Sequence, residues 1–188
     1  MKAKHLLALT ALSMSAPAMA HTTGIMESSL IAGVLHPLTG IDHLLAMTAV
    51  GLWLATQSRE VKLPTLTAFM GALGLGFLVT AAGFTMPLIE TGIAASVLVL
   101  GLLLTAAVKL PKAASISLMS GFALFHGAAH GAELTGSAWV FAIGFLGASA
   151  AVTLASVASS HAASRVFPMV TQLIGVLIAM AGLSFIAA

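Results

Sequence analysis

Six long apolar runs, roughly 29–56, 64–84, 87–108, 113–134, 137–158 and 166–187, dominate the chain, and within them polar side chains are sparse and isolated. Each is near the ~20 residues that cover about 30 Å of hydrocarbon at a helical rise of 1.5 Å per residue. The pattern predicts six membrane-spanning helices. Turn-formers lie between the runs: Gln57 to Leu63, the Met86-Pro87 step, Lys109 to Lys112 around Pro111, Thr135-Gly136, and His161 to Phe167 before Pro168. Connections this short imply antiparallel neighbours.

The polar positions outside the runs set the orientation. Lys2 and Lys4 form a positive n-region, Leu6 to Met14 an apolar h-region, and Ala18-Met19-Ala20 an A-x-A cleavage site, together a secretory signal peptide. The expected organisation is therefore a signal peptide over 1–20, removed from the mature protein, and one transmembrane domain over 21–188 that begins at His21. Arg59 and Lys62 follow the first run, Lys109 and Lys112 the third, and Arg165 the fifth. All then share one side, which the positive-inside rule makes cytoplasmic, with both mature termini outside. Of the acids, Glu27, Glu90 and Glu133 fall near outer helix ends, whereas Glu60 accompanies the cations.

Composition agrees with this reading and removes several others. The protein has 188 residues, 60% hydrophobic and 6% charged, with a mean hydropathy of +1.12. A soluble surface is normally about a quarter charged, so this one belongs in a bilayer. The net charge of +2, spread along the chain, offers no nucleic-acid footprint. There is no cysteine, so any metal must be held by imidazole, carboxylate, thioether or backbone. The 18 glycines suit close helix packing in lipid.

Against that background, the ionisable residues inside the runs stand out, because each costs a few kcal/mol near the bilayer centre. The first run contains His36-Pro37-Leu38-Thr39-Gly40-Ile41-Asp42-His43. His36 and His43 return to nearly the same helical face, while Asp42 points roughly 120° from His36 on an ideal helix. Pro37 and Gly40 allow a kink or unwinding that turns all three inward. The fourth run contains Phe125-His126-Gly127-Ala128-Ala129-His130-Gly131-Ala132-Glu133, which puts His126, His130 and Glu133 on one stripe. Two imidazoles one turn apart are a half-site for a borderline divalent metal. Gly127 occupies the place of the general base in H-E-x-x-H, so a zincin-type protease lacks its catalytic residue.

Depth counting puts His36 and His126 at the same level, roughly 12 Å below the outer surface. It places His130 and Glu133 above them and Asp42 and His43 deeper. The expected order is capture by Glu133 and His130, binding between His36 and His126, and release through Asp42 and His43. His21, as a mature N-terminus, would add an α-amine and an imidazole, and Met47, one turn after His43, would add a soft thioether. Glu90 could line an outer vestibule, His161 reads as a solvated loop residue, and Trp53 and Trp139 read as interfacial belt residues.

The two motifs, His36-x5-Asp42-His43 and F-H-G-x-x-H-G-x-E over 125–133, resemble those of the HupE/UreJ family of nickel/cobalt transporters. The resemblance implies a small six-helix permease, not an enzyme, in the bacterial inner membrane. It would bring Ni²⁺, and Co²⁺, into the cytoplasm by secondary or facilitated transport for hydrogenase or urease maturation, handing the ion to cytoplasmic nickel chaperones. His36, Asp42, His43, His126, His130 and Glu133 would be the transport residues, with the ion as cargo and no resident cofactor. The sequence carries no P-loop to bind ATP. Imidazole with carboxylate suits Ni²⁺, Co²⁺ and Zn²⁺ better than Mg²⁺ or Ca²⁺. Two other chemistries use the same side chains: an intramembrane zinc-dependent hydrolase, and a bis-histidine haem protein with His36 and His126 as axial ligands.

Overall fold

The computed structural model of the protein describes residues 29–166 and 168–188. The signal peptide and His21 lie outside the described residues. Within them the structure is all-helical, without strands: α1 Ser29–Thr39, α2 Ile41–Thr56, α3 Arg59–Ala81, α4 Ile89–Thr105, α5 Lys112–Ala132, α6 Ala138–Val166 and α7 Pro168–Ala187.

The first apolar run is two helices, with α1 and α2 bent by 75° at Gly40. The cause is local. Pro37 sits inside α1 and cannot donate to the helical ladder. Thr39 Oγ1 donates to the carbonyls of Leu35 and His36 at 3.0 and 3.2 Å, adding a side-chain donor where the helix ends. Gly40 is extended and opens α2 as its N-cap.

Other boundaries shift for similar reasons. The second helix, expected from residue 64, starts at Arg59 and carries Pro64 inside it, where the ring leaves the Glu60 carbonyl without its helical donor. The connection expected over 161–167 is helical as far as Val166. Among the described residues three segments, Arg59–Ala81, Ala138–Ser160 and Met169–Ala187, are long and apolar enough to cross a membrane, and the bent α1–α2 pair, taken as one span, makes a fourth.

Glycines decide which helices approach closely. A Cβ on Gly76 would strike the backbone of α5 at Leu124, and one on Gly127 or Gly131 would strike the backbone of α3 at Leu73 or Phe77. These pairings rise together along both helices, so α3 and α5 run parallel with their cation-bearing starts at one end. Thr80 Oγ1 donates to Ala128 O at 2.8 Å and ties the pair. Gly101, Gly175 and Gly182 likewise let α4 and α7 meet, antiparallel. Such small-residue contacts replace the hydrophobic drive that lipid does not supply.

Trp53 corrects an expectation. It is 1% exposed, and its Nε1–H donates to Val108 O at 2.9 Å; it closes the core between the ends of α2 and α4. Trp139, at the start of α6, is exposed. Met47 is a buried core residue packed among apolar side chains. Glu90, in the first turn of α4, is exposed.

Candidate metal pathway

With α5 pressed onto α3 by Gly127 and Gly131, the i, i+4 pair His126 and His130 turns toward the α1–α2 bend. There the side chains form a continuous row. His36 Nε2 lies 2.5 Å from Glu133 Oε2. The ring of His36 meets that of His130 at 4.8 Å between centroids. His130 meets His43 at 4.4 Å, and His43 meets His126 at 4.8 Å. All three ring contacts are edge-on.

Exposure falls along the row. The side chain of Glu133 is 50% exposed and that of His36 34%, whereas His126 is 2% and His130 0% exposed. The row therefore leads from a solvated rim at the end of α5 into the protein core. Phe77, Phe141 and Phe145 wall one side, with the Phe145 ring 4.2 Å from that of His130.

Asp42 lies beside the row and prepares one member of it. Its Oδ1 accepts the backbone N–H of His43 at 2.7 Å and faces His43 Nδ1 at 2.8 Å. An ionised carboxylate only accepts, so Nδ1 carries the proton and donates. On the neutral ring the other nitrogen, Nε2, is a bare lone pair, buried and without a partner among the described residues. This is the carboxylate–histidine arrangement that orients metal-ligating imidazoles. His130 is more exceptional: both ring nitrogens are buried and unpartnered among the described residues. Each such group costs about 1–3 kcal/mol, and no tautomer relieves both.

All six pathway residues named from the sequence thus lie in one region. Their pairing differs from the depth argument. His36 meets His130 and Glu133 instead of His126, and His43, expected deeper, joins both α5 histidines. The bend at Gly40 is the reason, because it turns the start of α2 sideways instead of letting it descend. Met47 is absorbed by the core and is not in the row. Among the described residues no three His, Asp or Glu side chains form a ready-made metal cage; the arrangement is a series of pairs. Phe145 and Ser96, which borders His126, belong to the site but have no signal in the sequence that separates them from packing residues.

Apolar helices enclosing a buried row of imidazoles define a helical membrane protein. Residues 7–185 match the HupE / UreJ protein family, and the chain belongs to that family. It is similar to Protein HupE of Rhizobium leguminosarum bv. viciae, with 36% identity over 142 residues, 74% of either chain. No solved structure matches it.

Proposed function

We propose that the protein is a secondary or facilitated permease that imports Ni²⁺, with Co²⁺ as a second cargo, across the bacterial inner membrane. The family is associated with nickel and cobalt uptake for hydrogenase and urease, which supports the choice of ion; its recipients would be cytoplasmic nickel chaperones. One observation carries the reading: the unbroken row Glu133, His36, His130, His43, His126, graded from exposed to buried and containing ring nitrogens that have no partner among the described residues.

On this reading the α1–α2 pair is a single broken span. With α3 to α7 it makes six crossings, after a cleaved signal peptide, with both termini outside. A broken helix at membrane depth is a recurrent device of transporters. The parallel course of α3 and α5 fits alternate crossings, as does the grouping of Arg59, Lys62 and Lys112 at their starts. Glu133 and His36 form the outer entrance, and Asp42 with Glu133 balances the charge of a divalent ion. Successive pairs bind weakly enough to release, as conduction requires. An intramembrane hydrolase would need about three ligands fixed around one ion and an open water position, which a row of pairs does not favour.

The test is the metal content of nickel-limited cells by mass spectrometry, for wild type, His36→Ala and His126→Ala, across nickel, cobalt, zinc and manganese. Accumulation of nickel or cobalt that both substitutions abolish, at equal membrane expression, supports the permease. No accumulation of any metal by wild type overturns it and turns attention to zinc in the purified protein.

A further inference from the structure

The innermost histidine has a partner on a helix that bears neither motif. Phe125 of α5 packs its ring where Gly92 of α4 has no side chain, and one turn further along α4 the hydroxyl of Ser96 reaches His126. Ser96 is 0% exposed. Its Oγ lies 2.7 Å from His126 Nε2 and 2.7 Å from the carbonyl oxygen of Ile93.

Two contacts this short each need a hydrogen between the heavy atoms. The hydroxyl has one proton and the Ile93 carbonyl none. The hydroxyl proton therefore goes to Ile93 O, and the proton between Ser96 and His126 belongs to the imidazole. His126 donates from Nε2 to Ser96 Oγ, which leaves Nδ1 as the lone-pair nitrogen. That Nδ1 is buried and has no partner among the described residues.

We propose that Ser96 is a positioning residue of the pathway: it fixes His126 as the Nε2–H tautomer and presents Nδ1 to the passing ion. Asp42 does the opposite to His43, holding Nδ1–H and presenting Nε2. Adjacent rings thus offer different nitrogens, one set by a carboxylate on its own helix and one by a neutral hydroxyl from α4. The neutral partner orients the imidazole without adding a third negative charge that would hold a divalent ion at the inner end of the row. The transport role rests on the permease reading, whereas the tautomer assignment does not.

The test uses the full-length protein in lipid nanodiscs with ¹⁵N-labelled histidine, as wild type, Ser96→Ala and Ser96→Thr, with His126→Gln to assign the resonance. Nitrogen shifts report which ring nitrogen carries the proton. The same variants are assayed for nickel uptake against nickel concentration at equal membrane expression. Wild type is expected to show His126 protonated at Nε2. Ser96→Ala should raise the half-saturating nickel concentration by about 10-fold or more, the usual effect of losing a group that orients a metal ligand, and Ser96→Thr, which keeps the hydroxyl, should restore it. A wild-type His126 protonated at Nδ1 overturns the proposal, and so does a Ser96→Ala protein with unchanged half-saturation. If wild type takes up no metal but His126 is protonated at Nε2, the permease reading fails while the assignment to Ser96 stands.

Discussion

His36 Nε2 and Glu133 Oε2 lie 2.5 Å apart, joining the last turn of α1 to the C-cap of α5. This contact is the outermost link of the histidine row and the one most open to solvent. It gives the two sequence motifs, which lie far apart along the chain, a common mouth. On the permease reading, a hydrated divalent ion arriving there would meet a carboxylate first and an imidazole immediately behind it.

Glu133→Ala should therefore impair capture more than passage. The expected result is a rise of about 10-fold in half-saturating nickel, the lower end of what losing one metal-site group costs, with a maximal uptake rate close to wild type. Uptake kinetics at equal expression decide it, and a lower maximal rate with unchanged half-saturation would contradict an entrance role.

Asp42 acts through the ring of His43. Asp42→Ala removes the acceptor that holds Nδ1–H, so the lone pair at Nε2 is no longer fixed toward the row. Maximal uptake should fall by about 10-fold or more while the helices stay intact by circular dichroism.

Gly40 offers a subtler test of the same pair. A Cβ there would lie 3.2 Å from Asp42 Oδ1 and 3.3 Å from His43 Nδ1, close enough to force the pair apart by tenths of an ångström. Gly40 has an extended backbone, a conformation alanine also adopts, so the substitution crowds without straining the chain. Gly40→Ala should lower nickel uptake several-fold with little change in thermal stability in detergent. A full wild-type rate would show that the Asp42–His43 contact tolerates displacement.

That these six ionisable side chains come together was legible from the sequence, because such groups inside apolar runs are costly and seldom incidental. The break at Gly40 was legible too, from Pro37 and Gly40 inside the first motif. The cross-helix register was not. That His36 meets His130 and not His126 depends on the 75° bend and on how far Gly76, Gly127 and Gly131 let α3 and α5 approach, quantities that no single segment encodes. Ser96 and Phe145 were invisible for a different reason, since a serine or a phenylalanine in an apolar helix is ordinarily a packing residue. Trp53 misled because its place near the end of a run suggests an interface, whereas its indole N–H is satisfied inside the protein by Val108 O.

The Trp53 bond makes a stability prediction. Trp53→Phe leaves the Val108 carbonyl without that donor and trims a fully buried ring, so the protein should lose about 1 kcal/mol for the hydrogen bond plus a packing contribution. The melting temperature in detergent should drop, while the half-saturating nickel concentration stays at the wild-type value because Trp53 does not touch the row.

The glycines of α5 separate packing from chemistry most cleanly. Gly127 and Gly121 lie on the same helix, yet a Cβ on Gly127 would meet the backbone of Leu73 and Phe77, while one on Gly121 meets nothing within 4 Å. Backbone cannot swing aside as a side chain can, so Gly127→Ala must push α5 away from α3 and carry His126 and His130 with it. Overpacking of this kind costs about 1–3 kcal/mol, and uptake should fall along with the melting temperature. Gly121→Ala replaces glycine in a helix interior with open space around it, a change worth roughly 0.5–1 kcal/mol in favour of the folded state, so it should melt no lower than wild type and transport normally. If the two variants behave alike, the α3–α5 glycine contact is not what sets the position of the histidine row.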